Sequence, residues 1–73
     1  MKISVVPGEP GFRPDARLWT VTVDKRPVQH LVRADDEEGI CVSLKQDETG
    51  AVISDGGEPV LVVQRGSIKI VPP

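Results

Sequence analysis

The chain has 73 residues, 38% of them hydrophobic, with one Trp, one Phe, no Tyr and a formal net charge of −2 from nine basic and eleven acidic side chains. That length holds a single domain over residues 1–73, one that buries only about 60% of the surface its unfolded chain exposes. The balance of charge argues against a nucleic-acid binder, which needs a basic excess to neutralise phosphates. No run approaches the roughly 18 consecutive apolar residues that span a bilayer, so no membrane partner is expected.

Cys41 is the only cysteine, which excludes an internal disulfide and a cysteine-based metal site. A lone cysteine suits a reducing, cytoplasmic setting. The opening Met1-Lys2-Ile3-Ser4-Val5-Val6-Pro7 is too short an apolar run for a secretory leader.

Ile3 to Val6 reads as a first short strand, ended by Pro7, which cannot donate to a ladder. Residues 7–17 form a Pro/Gly-rich loop or arm, because Pro7, Gly8, Pro10, Gly11 and Pro14 resist both helix and sheet. Phe12 in its middle either pins this loop to the core or stays exposed on an arm. Leu18 to Val23 alternates and is rich in β-branched residues, which predicts a strand. Asp24-Lys25-Arg26-Pro27 reads as the turn of a hairpin, although it lacks the glycine a type I′ turn prefers, and Val28 to Ala34 as its antiparallel return.

Asp35-Asp36-Glu37-Glu38-Gly39 follows, four carboxylates and a glycine that do not easily extend a strand and so reverse the chain. Ile40, Val42 and Leu44 then alternate with Cys41, Ser43 and Lys45, giving an apolar face and a milder one. Gln46 to Gly50 is a turn, Ala51 to Ser54 a short strand, and Asp55 to Pro59 another turn. Val60-Leu61-Val62-Val63 is continuously apolar and reads as the most buried strand. Arg65-Gly66 either closes a tight turn or bends one long strand, and Ser67 to Val71 alternates again. The pattern predicts an all-β fold: a small, partly open barrel or sandwich of about five to seven short antiparallel strands, SH3-like or OB-like.

Asp35, Asp36, Glu37 and Glu38 are the obvious candidate site. Consecutive acids in a turn serve solubility and guard sheet edges, dock a basic partner, or bind a cation. The spaced ligands of a calcium loop are absent, however. His30 and Cys41 flank this turn, so a Cys–His–Asp constellation is imaginable, although a cysteine in such a strand is more often a small buried hydrophobe. Trp19 and Phe12 are too few aromatics for a base-stacking platform, with Lys25, Arg26 and Arg33 scattered rather than gathered. Gly56-Gly57 lacks the Lys-Ser/Thr of a phosphate loop, and the serines sit in no nucleophile elbow. No catalytic, metal or cofactor residue is expected, and no small-molecule substrate is evident.

Val21-Thr22-Val23-Asp24-Lys25-Arg26-Pro27-Val28, Ala34-Asp35-Asp36-Glu37-Glu38-Gly39 and Gly66-Ser67-Ile68-Lys69-Ile70 together resemble small uncharacterised β proteins encoded by tailed bacteriophages and prophages. The resemblance runs in short pieces from Trp19 to Val71. It departs at Lys25, where a glycine completes the turn in those proteins, and at Ile40, where an aromatic is common. It implies an origin in a bacterial host cell, with association with a virion as one location, more than it implies an activity.

The expected function is therefore a non-enzymatic phage or prophage module for protein–protein interaction, in virion assembly. Such a small core favours a protein partner or self-association. Asp35, Asp36, Glu37 and Glu38 are the expected charged contact and Phe12 the apolar one. A small nucleic-acid-binding barrel and an acidic inhibitor of a host protein are the alternatives.

Overall fold

β-branched residues alternating with polar ones suit a pleated, half-buried surface, and every regular element but one 3-10 turn is a strand, as that pattern predicts. The computed structural model describes residues 1–73, with strands β1 (Lys2–Ser4), β2 (Thr20–Val23), β3 (Arg26–Pro27), β4 (Leu31–Asp35), β5 (Ile40–Leu44), β6 (Ser54–Asp55), β7 (Glu58–Pro59), β8 (Leu61–Arg65) and β9 (Ile68–Val71). Ala16–Leu18 add a single 3-10 turn. The strands pair antiparallel into a four-stranded sheet of order β1-β4-β5-β8, a three-stranded sheet of order β3-β2-β9, and the separate β6-β7 hairpin. The two larger sheets share one core and do not close into a barrel, since β1 and β8 stay outermost in one and β3 and β9 in the other.

Register explains which side chains meet. Ile3, Ala34 and Cys41 lie side by side across β1, β4 and β5. They face Val21, Val23 and Ile68 from the smaller sheet, with Ala16 of the 3-10 turn completing the buried cluster. Val5, Trp19, Val28, Leu31 and Ile70 pack around it.

Several boundaries differ from the sequence expectation, each for a physical reason. The strand expected from Leu18 begins at Thr20, because the 3-10 turn takes Leu18 and leaves it 64% exposed. The hairpin tip is only Asp24-Lys25, both at positive φ (50° and 69°), the left-handed pair that a type I′ turn requires. Arg26 and Pro27 already pair with Val23 and Thr22.

The run from Val28 to Ala34 is not one return strand. The ladder with β2 runs one residue past Pro27, where the Val28 N–H donates to the Val21 carbonyl, and His30, at φ 55°, then turns the chain out of the smaller sheet and into the larger one. There the His30 carbonyl accepts the Leu44 N–H, and Leu31 onward pairs with β5. In β5 the core takes the milder face, through fully buried Cys41, while Ile40, Val42 and Leu44 lie on the opposite face. Ala51 to Ser54 contributes only a bridge at Val52 and the start of the β6-β7 hairpin.

The largest correction concerns β8. The apolar run Val60 to Val63 is not the most buried strand; β8 is an outermost strand with Leu61 49% and Val63 59% exposed. As the outermost strand it has a neighbour on one side only, so its side chains gain cover from β5 alone.

Arg65 and Gly66 make the corner between the two sheets. The Gly66 N–H donates to the Gly39 carbonyl, the Ser67 N–H donates to Asp24 Oδ1 at 2.9 Å, and the Asp24 N–H donates back to the Ser67 carbonyl. A Cβ on Gly66 would stand 2.7 Å from Asp24 Oδ2, and one on Gly39 would stand 2.8 Å from the Gly66 carbonyl oxygen. Gly39 is therefore needed because two backbones meet there, and Gly66 because the Asp24 carboxylate lies against it.

Candidate protein-interaction surface

The acidic turn joins β4 to β5, and most of its charge is used within the chain. Buried Asp35 accepts the N–H groups of Glu37 and Glu38 on Oδ1 at 2.9 and 3.2 Å, and Lys2 Nζ lies 3.9 Å from Oδ2. Asp36 Oδ1 accepts from the Met1 amino group at 2.6 Å, with Glu37 Oε1 3.6 Å from the same nitrogen. The Asp36 hydrogen bond holds the pKa of that amino group above its ordinary value. Glu38 alone among the four carboxylates has no hydrogen-bond or ion-pair partner. The run acts first as a reversal whose leading carboxylate replaces missing backbone acceptors.

Phe12, 38% exposed, bridges to Ser4 at the far end of β1 from that turn. Loop 7–15 lies along the outer edge of β1: the Ser4 N–H donates to the Gly11 carbonyl, and the Arg13 N–H donates to the Ser4 carbonyl. Side chains lock it there. The Ser4 hydroxyl, fully buried, donates to Glu9 Oε1 at 2.8 Å and accepts the Val6 N–H at 3.0 Å. Arg33 grips the same carboxylate with two hydrogen bonds, Nε to Oε1 at 3.0 Å and Nη2 to Oε2 at 2.9 Å. Arg33, and then Ser4, hold the Glu9 carboxyl below its ordinary pKa.

His30 and Cys41 do not come together. His30 is exposed beside Leu44, while Cys41 is fully buried opposite Ala34, its thiol pushed up by desolvation. A buried, protonated thiol is a poor nucleophile. Trp19 packs against the core with the Arg13 guanidinium 4.7 Å from its ring centroid, so its open face is already stacked, and its buried indole N–H has no hydrogen-bond partner. No three His, Cys, Asp or Glu side chains gather in a geometry that could hold a metal ion.

The feature that composition did not reveal is the free side of β8. Leu44 faces Leu61, Val42 faces Val63 and Ile40 faces Arg65 in register, so Leu61 and Val63 extend the apolar outer row of β5 toward solvent. Lys45 donates to the Val60 carbonyl and Gly66 donates to the Gly39 carbonyl. That alternation aims the N–H and C=O groups of Leu61, Val63 and Arg65 away from β5, where no strand pairs with them. The sequence held one signal for this, Pro59 just ahead of the run, a residue that sheets keep to edges and strand starts.

No helix is long and apolar enough to cross a membrane. No family model, curated protein or solved structure matches the chain.

Proposed function

We propose that the chain is a non-enzymatic protein-interaction module that works by strand addition, taking a strand of another polypeptide onto β8. The observation that carries this reading is the unpaired edge of β8 with Leu61 and Val63 standing exposed beside it. Main-chain hydrogen bonds along such an edge supply affinity, and alternate side chains supply selectivity. Glu38, adjoining the Arg65 end of β8 through the Ile40–Arg65 pair, gives the surface a charged rim, and Phe12 is a secondary apolar contact. The resemblance to bacteriophage proteins makes virion assembly, in a bacterial cell or on the particle, the setting for the module.

The experiment is site-specific photo-crosslinking in the cells that make the protein. A crosslinker at Val63 is expected to give a defined adduct with a protein chain, whereas one at Leu18, equally apolar and exposed but on the 3-10 turn, gives none. Equal adducts at both positions, or none at Val63, would overturn the reading. Glu38→Gln is the variant that probes the acidic rim, because replacing Asp35 would also open the turn.

A further inference from the structure

We infer that the strand added to β8 is β8 of a second copy of this chain, running antiparallel about a two-fold axis. This inference rests on the strand-addition reading above and names its partner. The segment is self-complementary in charge: Glu58 stands at one end, Arg65 at the other, and Pro59 to Gln64 between them carry no charge. Glu58 and Arg65 are both exposed, and neither enters an ion pair within the chain.

An antiparallel pairing of two copies brings the Glu58 end of each toward the Arg65 end of the other, twice by symmetry, whereas a parallel pairing would set like charge against like. Register follows from the backbone. The outward groups belong to Leu61, Val63 and Arg65. An axis through Val62 lets Leu61 of one copy exchange both hydrogen bonds with Val63 of the other, on each side of the axis. Val62 then faces its own counterpart, and every cross-strand pair in the centre is apolar. Arg65 falls opposite Pro59, one residue along from Glu58 on the other face, so the two charges attract across the end of the ladder rather than as a contact pair, and the ladder ends there because Pro59 has no N–H to give. An axis through Val63 would instead set Arg65 against Leu61. The Val62 register leaves the four-stranded sheet continuous across both copies, with the exposed apolar row of each extending into the other.

The test is sedimentation equilibrium of the full chain over a wide concentration range, at low and high salt. The mass is expected to rise from one copy to two with concentration. Val63→Lys, a charge on the edge itself, is expected to hold the mass at one copy with the circular dichroism spectrum and melting temperature of the dilute protein. Glu58→Arg and Arg65→Glu are each expected to weaken association about tenfold at low salt, with less effect at high salt. The double variant E58R/R65E restores the opposite-charge arrangement and is expected to recover the original affinity. A single-copy mass at every concentration overturns the inference, as does a dimer indifferent to Val63→Lys, or a double swap no stronger than the single ones. A single-copy mass with a Val63 adduct to a different chain leaves strand addition standing and removes only the second copy as its partner.

Discussion

The two outer strands of the four-stranded sheet differ in what lies along their free edges. Along β1, a stretch too rich in proline and glycine for regular structure lies down on the edge and takes up the Ser4 backbone groups, and Glu9 is clamped there by Arg33 and Ser4. Along β8, a strand of better β-formers has nothing beside it. The difference teaches that an edge is guarded by what covers it rather than by the composition of the strand. The segment with the weakest strand propensity covers one edge, and the most apolar run in the chain leaves the other open.

The sharpest way to break this comparison is to truncate one side chain on each edge strand. Ile3→Ala on β1, where the side chain is fully buried, is expected to cost about 3 kcal/mol in urea unfolding, from lost burial and the cavity left behind. Val63→Ala on β8 is expected to stay within about 0.5 kcal/mol for the dilute protein. Similar losses at both sites would mean that β8 is covered in solution.

Ser4→Ala tests the clamp beneath the loop. It leaves Glu9 to Arg33 alone and the Val6 N–H short of a partner in a part-buried place, with an expected loss of about 1 kcal/mol. A loss no larger than that of an exposed serine would show that the loop holds without it.

Breaking the turn at the far side of the molecule serves as a control in the other direction. Lys25→Gly removes a side chain from a left-handed position at φ 69° and is expected to raise stability by about 0.5–1 kcal/mol. A fall in melting temperature would mean that the Lys25 side chain contributes more than its backbone conformation costs.

The clamp should also leave a mark on the acid limb of stability. Glu9 has a folded pKa below its ordinary value, so the folded state resists protonation there more than the unfolded chain does. Its contribution is complete above the ordinary carboxylate value of about 4.3 and is lost as pH falls through the depressed folded value. Asp47, depressed chiefly by its hydrogen bond from Thr49, works in the same sense. Glu9→Gln is therefore expected to make the acid loss of stability shallower while leaving the Asp47 part. An unchanged acid slope would remove Glu9 from this account.

Local chemistry carried much of the fold. The alternation in Thr20 to Val23 and Ile68 to Val71, and the reversal at Asp35 to Gly39, are legible because each depends on neighbouring residues. What failed was every step that depends on a distant one. Alternation in Ile40 to Leu44 marks two faces but not which of them a second sheet will cover, and Cys41 won over Val42 because Val21, Val23 and Ile68 lie on its side. Val28 to Ala34 reads as continuous because nothing local says that His30 hands the chain from one sheet to another. The internal partners of the candidate site were hidden for the same reason. Asp35 to Glu38 is conspicuous in the sequence, but the Met1 amino group, Lys2 and the turn's own N–H groups occupy three of its carboxylates.

By itself, then, the sequence determined an all-β chain and its main turns, since propensity and period act over a few residues. Only the tertiary structure decided the sheet partners, the buried face of β5, the covering of β1 and the bareness of β8. Those depend on which segments meet across long chain separations, and no local pattern encodes that meeting.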